Sequence, residues 1–158
     1  MNSRLGVLAK LVLIPLTACL YSQATWADDD GNCKKAKGVL SVVNNGNGTT
    51  SGAITQGGRL NGTTQALFTS ALTPTPDPST VSYTDDFTVT AHGGVLKARN
   101  VGIFDFGAGL FTEIARIDPA ASTGRFAGAT GVLYVNGTTT DGGATFQAQV
   151  TGEVCFAK

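Results

Sequence analysis

From Val39 onward the chain alternates apolar and polar side chains in short runs separated by turn residues. That is the period of strands and not of helices. The pattern predicts strands over 39–43, 49–56, 60–72, 82–91, 95–106, 110–118 and 131–140, with Asn61-Gly62 as a bulge inside the third. A last strand puts Phe146, Ala148, Val150, Val154 and Phe156 on one face and Gln147, Gln149, Thr151 and Glu153 on the other. Strand 82–91 shows Phe87 and Val89 on one face, and strand 95–106 shows Leu96, Ala98, Phe104 and Phe106 opposite Lys97, Arg99 and Asp105. No segment sustains a 3.6-residue period, so very little helix is expected. Three Asn-Gly-Thr triplets, at Asn47, Asn61 and Asn136, read as turns in preference to glycosylation acceptors.

About eight strands in one small domain leave two exposed edges unless the sheet closes on itself, and closure removes that hazard. The fold class expected is therefore all-β, a small eight-stranded antiparallel β-barrel, with a two-sheet sandwich as the alternative. Eight strands give an interior filled by side chains or holding one small ligand.

Between the strands ending near 118 and starting at 131 lies Ser122-Thr123-Gly124-Arg125-Phe126-Ala127-Gly128-Ala129-Thr130-Gly131. Gly124, Gly128 and Gly131 supply backbone freedom that a folded-over turn requires, and Phe126 is the apolar plug such a turn pushes into a core. The proline-spaced run 73–79 is the one irregular insertion, either a plain connection or a rim over one barrel mouth.

Composition adds to this picture. Glycine supplies 21 of 158 residues, about twice its usual share, as tight turns between many strands demand. At the N-terminus, Arg4 and Lys10 precede a short apolar run broken by Pro15, then small residues up to Ala27 and Asp28-Asp29-Asp30. This reads as a cleaved export signal over 1–27, placing the mature domain 28–158 in the periplasm or outside the cell. A rival reading takes Leu16-Thr17-Ala18-Cys19 as a lipoprotein signal over 1–18, with Cys19 acylated and the protein anchored to a membrane. The apolar run is too short to span a bilayer, so no transmembrane segment is expected in the mature chain. The chain carries 11 basic and 11 acidic residues; loss of Arg4 and Lys10 leaves the mature part at −2. That charge gives no reason to expect nucleic acid as a partner.

The two mature cysteines, Cys33 and Cys155, sit near opposite ends, and an oxidising compartment makes a disulfide between them the default. With one histidine, His92, in a His-Gly-Gly turn, there is no metal-ligand spacing and no partner for a serine nucleophile. No phosphate loop or dinucleotide fingerprint is present.

With strands and turn in place, the chain resembles the allene oxide cyclase and dirigent superfamily of small β-barrels. The resemblance rests on the stretch from Ser122 to Gly131, similar to that family's GTG-x-F-x-G-A-x-G turn, and on Gly102-Ile103-Phe104-Asp105 upstream. It covers roughly 95–156 in register. It implies a cofactor-free barrel, a homo-oligomer in some members, whose cavity binds a hydrophobic substrate and steers cyclisation or radical coupling. The family's catalytic residues find no position-by-position match here, so none are transferred.

The candidate chemistry lies on strand 110–118. Alternation sets Glu113 with Phe111, Ala115 and Ile117, and Arg116 with Ile114. A carboxyl on the apolar face lies inside a barrel, where burial raises its pKa unless a cation such as Arg99 or Arg116 pairs with it. The alternatives are a structural ion pair or an outer-face charge. Tyr134 is read as a cavity hydroxyl or a packed core ring. Two functions are expected: a non-catalytic exported barrel binding a small apolar ligand or a surface partner, preferred because no recognisable catalytic set is present, or, as the resemblance implies, a cofactor-free cyclase or isomerase acting in the cavity.

Overall fold

The structure, a computed structural model, describes residues 32–158. The expected export signal over 1–27 and Cys19 lie outside the described residues. Ten strands form one sheet: β1 (Cys33–Asn44), β2 (Thr49–Thr55), β3 (Gly62–Phe68), β4 (Thr73–Pro74), β5 (Thr80–Ala91), β6 (Gly94–Asp105), β7 (Leu110–Ile117), β8 (Thr123–Gly124), β9 (Thr130–Thr138) and β10 (Thr145–Cys155). Eight of them pair in chain order, each antiparallel to the next, and β1 pairs with β10 from Cys33↔Cys155 to Val43↔Thr145. The sheet is a closed up-and-down barrel with no free edge among these eight. The two-residue strands β4 and β8 are flaps paired to β5 and β6. A 3-10 turn at Gly58–Leu60 is the one helical element among the described residues, and no helix there is long and apolar enough to cross a membrane.

The first and last strands meet at a disulfide, Cys33–Cys155, across a sequence separation of 122. On the chain-entropy model, closing a loop of that length stabilises by up to about 4–5 kcal/mol. β1 begins six residues earlier than its apolar pattern suggests. Lys35 and Lys37 are exposed on the outer face of this extension, and Lys34, on the same face as the buried Ala36, is exposed at the barrel end, so pairing with β10 extends the strand past its hydrophobic run.

The end of the barrel where β1 begins and β10 ends is plugged. Gly124 and Gly128 adopt φ values of 60° and 71°, the left-handed region that a side chain avoids. They fold residues 123–129 back through the bonds Phe126 N–H to Thr123 O, Ala127 N–H to Gly124 O and Ala129 N–H to Phe126 O. Phe126 is driven inward to 0% exposure and lies against Phe156 with ring centroids 5.9 Å apart. The Arg59 and Arg125 guanidinium groups cover these rings at 4.9 and 5.0 Å. Above the plug, Leu96, Val89, Leu133 and Val150 fill the barrel without exposure.

Three local expectations change. The segment 60–72 is not one strand with a bulge: Asn61 accepts a bond from the Gly57 N–H at 2.6 Å, closing the 3-10 turn, and β3 starts after it. Asn136-Gly137 is not a turn but lies inside β9, opposite Thr112 and Phe111 of β7. A Cβ at Gly137 would stand 2.5 Å from Cε1 of Phe111, so the glycine seats that ring. Phe106 lies past the end of β6 and is exposed at the open end.

Candidate functional site

Period-two alternation along three neighbouring strands builds the site. The inner positions of β5 are Tyr83, Asp85 and Phe87; those of β6 are Ala98, Asn100, Gly102 and Phe104; those of β7 are Phe111, Glu113 and Ala115. Register sets Asp85 opposite Asn100 and places Gly102 between Tyr83 and Glu113. Because Gly102 carries no side chain, the Tyr83 ring lies across it. A Cβ there would stand 2.6 Å from Cε2 and 2.7 Å from the hydroxyl oxygen of Tyr83. The Tyr83 hydroxyl donates to Glu113 Oε1 at 2.8 Å, and Asn100 Nδ2 donates to Glu113 Oε2 at 3.0 Å.

The electrostatics are those of acids held away from water. Burial pushes the Glu113 carboxyl above its ordinary range, and the bonds from Tyr83 and Asn100 partly offset this. Burial, then the charges of Glu113 and Asp86, raise Asp85 to about 8. Burial and the adjacent Glu113 also hold Tyr83 well above its usual value. Asp85 and Asn100 are each 2% exposed, and Asp85 Oδ1 and Asn100 Oδ1 accept no hydrogen bond. Buried acceptors without donors are uncommon and costly. With Asp85 ionised, the cluster carries a surplus of acceptors.

Tyr83, Asp85 and Glu113 form one side of an inner chamber of about 50 Å³, with Leu40, Val42 and Phe87 around it; Asn100 stands behind Glu113 and does not line it. Phe68, Tyr83, Phe111 and Phe146 line both this chamber and a vestibule of about 420 Å³. The vestibule is bounded by residues from the four connections at the open end, including Gly46, Leu72, Phe106 and Gly143. Phe111 and Phe146 meet edge to face at 5.3 Å, as do Phe68 and Tyr83 at 5.2 Å. The proline-spaced insertion lies beside this mouth: β4 pairs with β5, and Ser70, Ala71 and Leu72 just before it line the vestibule.

Of the residues singled out from sequence, Glu113 lines the inner chamber. Arg99 and Arg116 do not join it. They sit opposite one another on the outer faces of β6 and β7, and Arg99, with 78% of its side chain exposed, pairs with Asp118 at 3.4 Å. Tyr134 is neither a cavity hydroxyl nor a core ring. Leu133 and Val135 on either side of it are fully buried, so alternation turns Tyr134 outward to 47% exposure, beside Ile114. Tyr83, Asp85 and Asn100 complete the cluster and were missed. The signal was present: stepping back by twos from Val89 and Phe87 reaches Asp85 and Tyr83, and stepping on from Leu96 and Ala98 reaches Asn100.

Fold and site define a class: an antiparallel eight-stranded barrel plugged at one end and open at the other onto an aromatic cavity with an acidic floor. No family model, curated protein or solved structure matches the chain.

Proposed function

We propose that this is an exported barrel that binds a small, largely apolar ligand through its open end. The observation that carries this reading is the continuity of the cavity: an aromatic vestibule narrows, through shared walls, onto a few convergent polar groups. Ligand sites have this composition, apolar walls giving affinity and placed polar atoms fixing orientation. The export signal and the resemblance to the allene oxide cyclase and dirigent barrels support the same reading.

A second reading is favoured by a specific observation, the inward Glu113 held by two donors beside the high-pKa acid Asp85. Two acids whose environments differ are the arrangement from which a base and an acid are made. In that reading the barrel is a cofactor-free isomerase or cyclase acting on the bound apolar molecule.

Binding is tested by titration with the neutral fluorophore N-phenyl-1-naphthylamine. Saturable binding at one site per chain, abolished by Ala71→Trp at the vestibule wall, is expected. Absence of saturable binding, or binding that Ala71→Trp leaves intact, overturns it. Export is tested by the mass of the mature N-terminus: a free amine at Asp28 is expected, and an acylated Cys19 would move the protein to a membrane surface.

A further inference from the structure

We infer that the polar group of the ligand is a protonated amine, seated in the inner chamber between Glu113 and Asp85, with its apolar body in the aromatic vestibule. This rests on the ligand-binding reading above and names the chemistry of what is bound.

The first ground is hydrogen-bond complementarity. Glu113 already accepts from Tyr83 and Asn100, and Asp85, which lines the chamber with it, has Oδ1 without a partner; once ionised, that carboxylate only accepts. A ligand that completes this site must bring donors, and an ammonium brings three on a single atom. A carboxylate, phosphate or ketone brings none and would add to the surplus.

Charge supplies the second ground. Among the described residues, no lysine, arginine or histidine lines the chamber or vestibule. The titratable groups facing one another there are Tyr83 and Asp85 from β5 and Glu113 from β7, with Asp86 adding negative potential from the outer face of β5. The arginines that would neutralise a buried acid face solvent instead. Without a cation the acids are made neutral by protons; a bound ammonium replaces that neutralisation with ion pairing and charge-assisted hydrogen bonds.

Size and wall chemistry give the third. A chamber of about 50 Å³ suits a group of one or two heavy atoms, a water molecule's share of liquid being about 30 Å³. The walls leading to it are the faces and edges of Phe68, Tyr83, Phe111 and Phe146, and ring faces attract ligand cations within about 6 Å. A divalent metal ion is a poor occupant, because hard cations take six or more oxygen ligands and keep their waters, which these rings do not replace.

The test compares 1-naphthylmethylamine with 1-naphthylmethanol, matched in shape, by calorimetry on the full mature protein at pH 7. The amine is expected to bind about tenfold tighter or more, the scale of a hydrogen bond to a charged group. Its binding should release protons, read as a dependence of the enthalpy on the buffer's own ionisation. In Glu113→Gln and Asp85→Asn, both isosteric, the ratio of amine to alcohol affinity and the proton release should shrink. Equal affinities for amine and alcohol, or an amine advantage that survives both substitutions, overturn the inference and leave the binding reading standing. Saturable binding of neither compound overturns both. Thermal unfolding of each variant verifies that lost binding is not lost fold.

Discussion

Replacing Asp85 with asparagine should make the protein more stable at neutral pH, and the gain should depend on pH in a defined direction. Asp85 has its carboxyl held at about 8 in the folded barrel against 3.8 for an ordinary aspartate, mainly by burial. Between those values the folded state binds a proton that the unfolded chain has lost. The slope of unfolding free energy with pH is therefore negative. The protonated carboxyl costs the fold nothing in this respect below about pH 4. The penalty accrues from there to about pH 8, and above that the slope ends. Each unit of pH contributes about 1.4 kcal/mol, so at pH 7 the wild type has lost about 3–5 kcal/mol relative to pH 4 through this group. Asp85→Asn keeps the shape, removes the titration, and offers Asn100 Oδ1 an amide donor. Urea unfolding at pH steps from 4 to 9, with the disulfide intact, should show the two stability curves diverging across that window and running parallel above it. Glu113, raised in the same direction, leaves a residual slope in the variant. Curves that stay parallel from pH 4 to 9 would refute the claim that Asp85 is buried as a neutral acid.

Three further outcomes are expected. Phe126→Ala should lower stability by about 3–5 kcal/mol, since a fully buried ring is deleted where the turn 123–129 cannot collapse to fill its place; a urea-midpoint loss below about 1 kcal/mol would mean the plug is dispensable. Gly102→Ala should displace the Tyr83 ring and cost about 1–3 kcal/mol by overpacking. It should also weaken naphthyl-ligand binding, whereas Arg116→Ala on the outer face of β7, titrated in parallel, should leave binding unchanged. Reduction of Cys33–Cys155 should lower the urea midpoint by the equivalent of at most about 4–5 kcal/mol without abolishing the barrel; an unchanged midpoint would show that the first and last strands are held by their ladder alone.

Much of this barrel can be read from the chain. Strict alternation in β10 and β7 marks which side chains face inward, because successive residues of a strand point to opposite sides. The same rule put Glu113 with Phe111 and Ala115, and the glycine spacing around Phe126 marked a fold-over before any contact was known. The Asn136-Gly137 pair shows the limit of local reasoning: the dipeptide has turn chemistry, yet the ring of Phe111 on the neighbouring strand needs an absent side chain there, and that demand prevails. Tyr134 shows another, since its size suggests burial while the full burial of both neighbours forces it out.

The sequence by itself determined the strand period, the all-β class and the pair of cysteines at opposite ends; closure in place of a two-sheet sandwich, and the inward side of Glu113 in place of an outer-face charge, came with the tertiary structure. Tertiary structure alone decided who meets that carboxyl. Strand order and register set Tyr83, Gly102 and Glu113 in one row and Asp85 beside Asn100, residues separated by up to 30 positions in the chain. Alternation specifies a face but not a height along the barrel, and the height at which two strands pair is fixed only when the whole sheet closes. Alternation turns Arg99 and Arg116 outward, and register gathers the acids in a chamber that no lysine, arginine or histidine among the described residues lines.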